Sequence, residues 1–256
     1  MYYNGMKKSL VSVLIPSNSE DLLSRAIDHI LSSNVSEKDY EVIVCTKLPV
    51  AISHKKVKII SDPPDNVGSV RPLNECFKHS QGDYFVSIPD DLLLHPNCFN
   101  IEEFINSEIF ATRKYKVCST GYENDNVCGV PRLPDPIPEG WPTSHPDWND
   151  SGARDSSVGI LCYPAGKRET VDNLLGGVIF NESFKHVAAD NFLSYYLASK
   201  GERPVFMPDT LADDSLDKRD EESIHLREHD SQMYFEMIYQ SAKRDVKYNE
   251  IITLQE

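Results

Sequence analysis

Two hydrophobic periods alternate along the first ninety residues. Leu10-Val11-Ser12-Val13-Leu14-Ile15 is a short apolar run stopped by Pro16, which predicts a buried strand. Ser19 then offers an N-cap. Beyond it Leu22, Leu23, Ala26, Ile27, Ile30 and Leu31 recur at helical spacing, so a helix follows. Tyr40–Cys45, Lys56–Ile60 and Tyr84–Ile88 read as three further strands, and Leu73–His79 as a short helix before the last of them. Continuous apolar strands joined through helices predict a single α/β domain over 1–256 with a mostly parallel sheet covered on both faces.

The pattern then changes. A helix over Asn97–Glu108 and a strand near Lys116–Thr120 are expected, followed by residues 121–170, where Pro131, Pro134, Pro136, Pro138, Pro142, Pro146 and Pro164 accompany Trp141 and Trp148. Proline at that density predicts a long excursion without regular structure. Order returns at Leu174–Phe180, with a helix over Phe184–Lys200 that Gly201 caps, an apolar run Pro204–Met207, a charged stretch Asp209–Asp230 and a last helix over Ser231–Arg244. This divides the domain into a half at 1–110, a second half at 111–207 and a C-terminal segment at 208–256.

Composition narrows the classes. The net charge is -14 over 256 residues, so the average surface repels polyanions and argues against a generic nucleic-acid binder. No stretch approaches the ~20 apolar residues of a membrane span, which favours a soluble, cytoplasmic protein. The six cysteines form no Cys-x-x-Cys pair and read as reduced, mostly buried thiols.

The candidate chemistry starts where the strand at Tyr84–Ile88 runs into Asp90-Asp91. Adjacent carboxylates repel, and a divalent cation between them and a substrate phosphate relieves that cost; Mg²⁺ and Mn²⁺ are the hard ions suited to it. Asp is also a turn former, and the pair read alone is better explained that way. In a doubly covered parallel sheet, however, ligands bind beyond the carboxyl ends of the strands, where these residues fall.

Three stretches in order carry a family resemblance. Val11–Pro16 with its helix, Arg71–Cys76 through Gly82-Asp83-Tyr84 to Pro89-Asp90-Asp91 and His95-Pro96, and Leu175–Phe180 with Asp190-Asn191-Phe192-Leu193 together resemble the GT-A-fold nucleotide-sugar glycosyltransferases, most closely inverting family 2. The likeness spans roughly residues 9–201. It implies a GT-A-like central sheet, a nucleotide-binding half at 1–110, an acceptor half at 111–207, and a metal-dependent transferase moving sugar from a nucleoside diphosphate, with uridine as the expected base, to a hydroxyl acceptor on a glycan, lipid-linked glycan, protein or modified base.

Residue by residue, the resemblance puts the metal on Asp91, with Asp90 on the ribose or a metal-bound water, and makes Asp190 the base. Pro16, Asn18, Thr46, Asp65, Arg71 and Asn74 fall along the donor side, and Gly176 and Gly177 are binding residues in the acceptor-side Gly-Gly segment. The chain also departs from the family pattern. Pro89 stands where the metal motif usually has an acid, Cys45-Thr46-Lys47 replaces the strand-ending acid that reads the base, and Ala189 precedes Asp190 in place of Glu. Asp62 or Asp65 can supply the missing base-reading carboxylate, though turn formation accounts for both equally well. A late histidine often completes the metal shell in this fold; His225 leads His229 and His186.

Each residue also has a plainer reading. Gly176-Gly177 marks either a close ligand approach or a tight turn, Asp190 can serve a helix N-terminus, and Arg71 can face phosphate or solvent. Asp213–Glu222 reads as a solvated acidic surface. Two other functions fit less of the chain. A nucleotidyltransferase needs a Gly-rich basic loop after the first strand, where Ser17-Asn18-Ser19-Glu20-Asp21 stands instead, and a non-catalytic descendant would bind glycan or protein through the proline-rich excursion.

Overall fold

The computed structural model describes residues 10–32, 39–90, 111–112, 115–116, 164–200, 205–206, 212–213 and 221–254. The expected helix at Asn97–Glu108 and nearly all of the proline-rich excursion lie outside these residues. So does Asp91.

The first half follows its hydrophobic pattern closely. β1 (Val11–Ser17), α1 (Glu20–Ser32), β2 (Tyr40–Thr46), β3 (Val57–Ser61), α2 (Val70–His79) and β4 (Tyr84–Ser87) come in that order. The strands are parallel, with β1 between β2 and β4 and β3 outside β2. Alternate β1 side chains serve two cores: Val13 and Ile15 pack with Leu23, Ile27 and Ile30 of α1, whereas Leu14 joins Phe77 and Phe85 on the opposite face.

The remaining elements are shorter. β5 (Ala111–Thr112), β6 (Tyr115–Lys116), β7 (Ala165–Lys167), α3 (Arg168–Leu174), α4 (Ala189–Ser199), β8 (Val205–Phe206), β9 (Ala212–Asp213) and α5 (Glu221–Lys243) complete the described order. The main sheet runs β3-β2-β1-β4-β7-β5-β8, and β6 pairs with β9 separately. Among the described strands, only β7 is antiparallel to its neighbours, β4 and β5.

β7 and α3 correct the expectation that structure is absent up to residue 170. Arg168 explains the position of the junction: its guanidinium lies 4.3 Å over the Phe77 ring, and it donates to the carbonyls of Gly82, Phe77 and Ser80 at 3.0, 3.1 and 3.0 Å. It thereby ties the β7–α3 junction to the carbonyls at and just beyond the end of α2, adding a donor to the Phe77 carbonyl that the Ser80 N–H and hydroxyl already engage. α4 begins five residues later than the pattern suggested, because Ala188 has φ 58° and interrupts any helix upstream of it. α5 begins ten residues earlier than expected, and Asp230, Met233, Tyr234, Met237 and Ile238 form its buried stripe.

Leu174–Phe180 does not form a strand. Leu175 and Gly177 both donate to the Val171 carbonyl, at 3.0 and 3.1 Å, and Gly176 and Gly177 take φ 72° and 88°, so the glycine pair turns the chain out of α3. The backbone just past this turn is held by a side chain. Asn74 on α2 accepts the N–H groups of Ile179 and Phe180 at 3.0 and 3.1 Å and donates to Phe180 O and Glu182 Oε1 at 2.7 and 3.2 Å. Among the described residues, no helix is long and apolar enough to cross a membrane.

Candidate active site

The strand order reverses at β1. From β1 the chain proceeds outward to β2 and β3, then returns to place β4 on the other side, and the carboxyl ends of β1 and β4 border the resulting crevice. Ser17 ends β1 and Asp90 follows β4. Ser17 Oγ donates to Asp90 Oδ2 at 2.6 Å, closing the crevice floor with a charge-assisted bond.

Burial raises the Asp90 carboxyl above its ordinary value, while the Ser17 hydroxyl and backbone groups of Asp90, Ser19 and Asn18 pull it back down. A desolvated carboxylate supported only by neutral donors is a good seat for a cation. Among the described residues no three His, Cys, Asp or Glu side chains converge as a metal cluster.

Registered pairing aligns Ser17 with Thr46 and Thr46 with Ser61, so the crevice edge continues from Asp90 across β1 and β2 to Asp62 just past β3. Thr46 is buried; its Oγ1 accepts the Leu48 N–H at 3.1 Å and its carbonyl accepts the Asp62 N–H at 2.9 Å. Pro16 is half-buried and Asn18 exposed.

The structure separates Asp62 from Asp65. Asp65 is exposed, whereas Asp62 is 3% exposed, with Oδ2 held by Asn66 Nδ2 at 2.9 Å and Oδ1 buried without a hydrogen-bond partner. A buried carboxylate oxygen left unmatched costs free energy, and a ligand N–H recovers it. Lys47 donates to Asn66 O across this turn.

Arg71 is exposed on the first turn of α2. Asn74 was expected on the donor side, but all four hydrogen-bonding positions of its amide are engaged within the protein, leaving a tying role. Gly176 packs under Asn249, where a Cβ would come within 2.5 Å of Nδ2. Gly177 has open space beside it.

Asp190 lies in the first turn of α4, partly exposed, and Oδ1 accepts the Asn191 N–H at 2.8 Å. Its charge reaches two buried tyrosines, Tyr234 and Tyr248, whose hydroxyls burial pushes well up and keeps neutral. Tyr248 stacks on Phe192 with ring centroids 5.6 Å apart and donates to Ile179 O at 2.8 Å. His225 is exposed on α5, and His186 Nδ1 sits 3.1 Å from Ser69 Oγ.

Ser17 was missed in the sequence because a serine ending a strand carries no distinctive signal. Asp230 was missed although a signal existed: an acid occupying the apolar stripe of α5.

No protein-family model matches the chain. Among solved structures, the mannosyltransferase PcManGT from Pyrobaculum calidifontis, in complex with GDP-Man and Mn²⁺, superposes over 94% of this chain and 66% of its own, with a TM-score of 0.58 and 17% identity. The chain has the GT-A fold. Residues 1–349 of S. aureus TarS superpose over 79% of this chain and 59% of theirs, with a TM-score of 0.52 and 12% identity. A poly(ribitol-phosphate) beta-glucosyltransferase of Bacillus spizizenii shares 28% identity over 92 residues, covering 32% of this chain and 14% of that protein. The chain therefore spans less than two thirds of the length of the curated relative, and the solved structures likewise extend well beyond the part it matches.

Proposed function

We propose that the chain is an inverting glycosyltransferase that takes sugar from a nucleoside diphosphate. The observation that carries this reading is the Ser17–Asp90 pair at the strand-order reversal of a GT-A sheet. The orphaned Asp62 Oδ1 supplies the base preference. A carboxylate oxygen there accepts an imide N–H and repels the ring-nitrogen lone pair that cytosine and adenine present. With Oδ2 held by Asn66, one acceptor remains, which the single imide N–H of uracil matches.

In the reaction Asp190 accepts the proton of the acceptor hydroxyl, whose oxygen forms a bond to the anomeric carbon. The bond from that carbon to the diphosphate oxygen breaks with its electron pair on the leaving nucleotide, and the configuration inverts. Attack from the face opposite the diphosphate requires base and donor to approach from different elements; in this reading the base comes from α4 and the donor from the β1/β4 crevice. Asp91, with Asp90 next to it in the chain, would hold a divalent cation, which would supply Lewis-acid neutralisation of the departing diphosphate.

Release of UDP from UDP-glucose and of GDP from GDP-mannose, each with Mn²⁺, tests the reading. Wild-type protein should release one nucleotide, and Asp190→Asn should lower that rate by roughly 10²–10⁴-fold. Equal rates in both proteins would contradict the assignment of Asp190.

A further inference from the structure

The segment Lys185–Ala188, which delivers the chain to α4, is gripped from two sides. On one side is Asp230 of α5, 0% exposed. Its Oδ1 accepts the Lys185 N–H at 2.9 Å and lies 2.8 Å from His229 Nδ1; its Oδ2 accepts the N–H groups of His186 and Val187 at 2.6 and 2.8 Å. Three successive backbone N–H groups turned toward one carboxylate form an anion nest, here filled by the protein itself.

On the other side is the loop before α2. Val70 N–H donates to Lys185 O at 3.1 Å, and Ser69 Oγ meets His186 Nδ1 at 3.1 Å. Gly68, at φ 75°, approaches so closely that a Cβ there would stand 2.1 Å from Lys185 O. Immediately past the gripped residues, Ala188 turns left-handed at φ 58°, and its carbonyl accepts the Phe192 N–H at 2.9 Å to open α4. Asp190 is two residues beyond that turn.

A fully buried carboxylate is expensive unless hydrogen-bonded, and helical stability alone does not require one in the apolar stripe of α5. We infer that Asp230 is a positioning residue: by fixing the three amides ahead of α4, it sets the direction from which Asp190 meets the acceptor. This rests on the glycosyltransferase reading above. It adds to that reading a residue that touches neither donor nor acceptor and acts through the backbone. Misplacement of a reacting group by ~1 Å costs about 10²-fold in rate, so the clamp is expected to appear in turnover.

The experiment compares wild type, Asp230→Asn and Ala188→Gly in three measurements: amide hydrogen exchange at Lys185, His186 and Val187, UDP affinity by calorimetry, and UDP release from UDP-glucose with Mn²⁺. Asp230→Asn keeps the shape but loses the charge and one acceptor oxygen. It should exchange those amides faster and lose about 10–100-fold in turnover with UDP affinity unchanged. Ala188→Gly removes the left-handed strain, so it should fold at least as stably as wild type, yet still lose turnover because the hinge between clamp and base is freed. It serves as the deciding variant should Asp230→Asn fail to fold. Wild-type turnover in a folded variant of either kind, or a UDP affinity that falls in step with turnover, would overturn the inference. Absence of release by the wild type itself would overturn the glycosyltransferase reading, and this inference with it.

Discussion

Residues 10–90 and residues 164–254 are built by different means. In the first, four parallel strands in register carry the architecture, and the ladder itself aligns Ser17, Thr46 and Ser61 along one edge. In the second, single side chains hold irregular backbone at long range: Asn74 holds Ile179 and Phe180, Asn181 Nδ2 donates to Glu250 O at 2.8 Å, and Asp230 holds Lys185 to Val187. Ladders share their load over many bonds, whereas a tie concentrates it on one residue. Removing one tie should therefore do more harm than most substitutions in the ladder half.

Asn74→Ala tests that contrast hardest. It leaves two buried N–H groups and a buried carbonyl without their partner, which should cost roughly 3–5 kcal/mol in chemical denaturation. A loss under about 1 kcal/mol would show that the second region is not held as described.

Two glycines sharpen the comparison. Gly68→Ala adds backbone overlap with Lys185 to left-handed strain, so about 2–4 kcal/mol should be lost in the same assay. Gly177→Ala meets nothing within 4 Å and should cost only the strain, about 1–2 kcal/mol. Equal losses would mean that the contact between the regions at Gly68 contributes little.

The smallest effect should be a gain. Burial raises the Asp90 carboxyl in the folded chain, so across the interval between its unfolded and folded values the native state binds more protons and stability falls as pH rises. Asp90→Asn removes that cost. Its melting temperature should exceed wild type at neutral pH, with the gain fading as pH drops through the ordinary carboxylate range, while nucleotide binding is lost. A gain that grows toward acid pH would reverse the assigned sign.

The same difference decides what was legible in the sequence. β1, β2 and β4 followed from apolar runs because their side chains are buried on both faces, β3 from a shorter run half-buried at the sheet edge, and the Asp90-Asp91 pair stood out because it closes one of those runs. Beyond residue 164, periodicity misplaced the starts of α4 and α5. Ala188 ends regular backbone through a positive φ that no residue-type rule anticipates, and Asp230 reads as the end of a charged stretch until α5 is followed back past Ser231, where it falls in the apolar stripe. β7 and α3 were hidden behind proline-rich sequence, since a strand of three residues carries no period. At the site, Asp62 and Asp65 looked alike as turn acids, and only burial set one apart.

Calorimetric titration of UDP, with GDP and CDP in parallel, with and without Mn²⁺, on wild type, Asp90→Ala and Asp62→Asn tests the central claim most directly. The expected result is Mn²⁺-dependent binding of UDP, abolished by Asp90→Ala and shifted toward CDP by Asp62→Asn, whose amide can donate to the cytosine ring nitrogen. Failure of wild type to bind any of these nucleotides under either condition would contradict it.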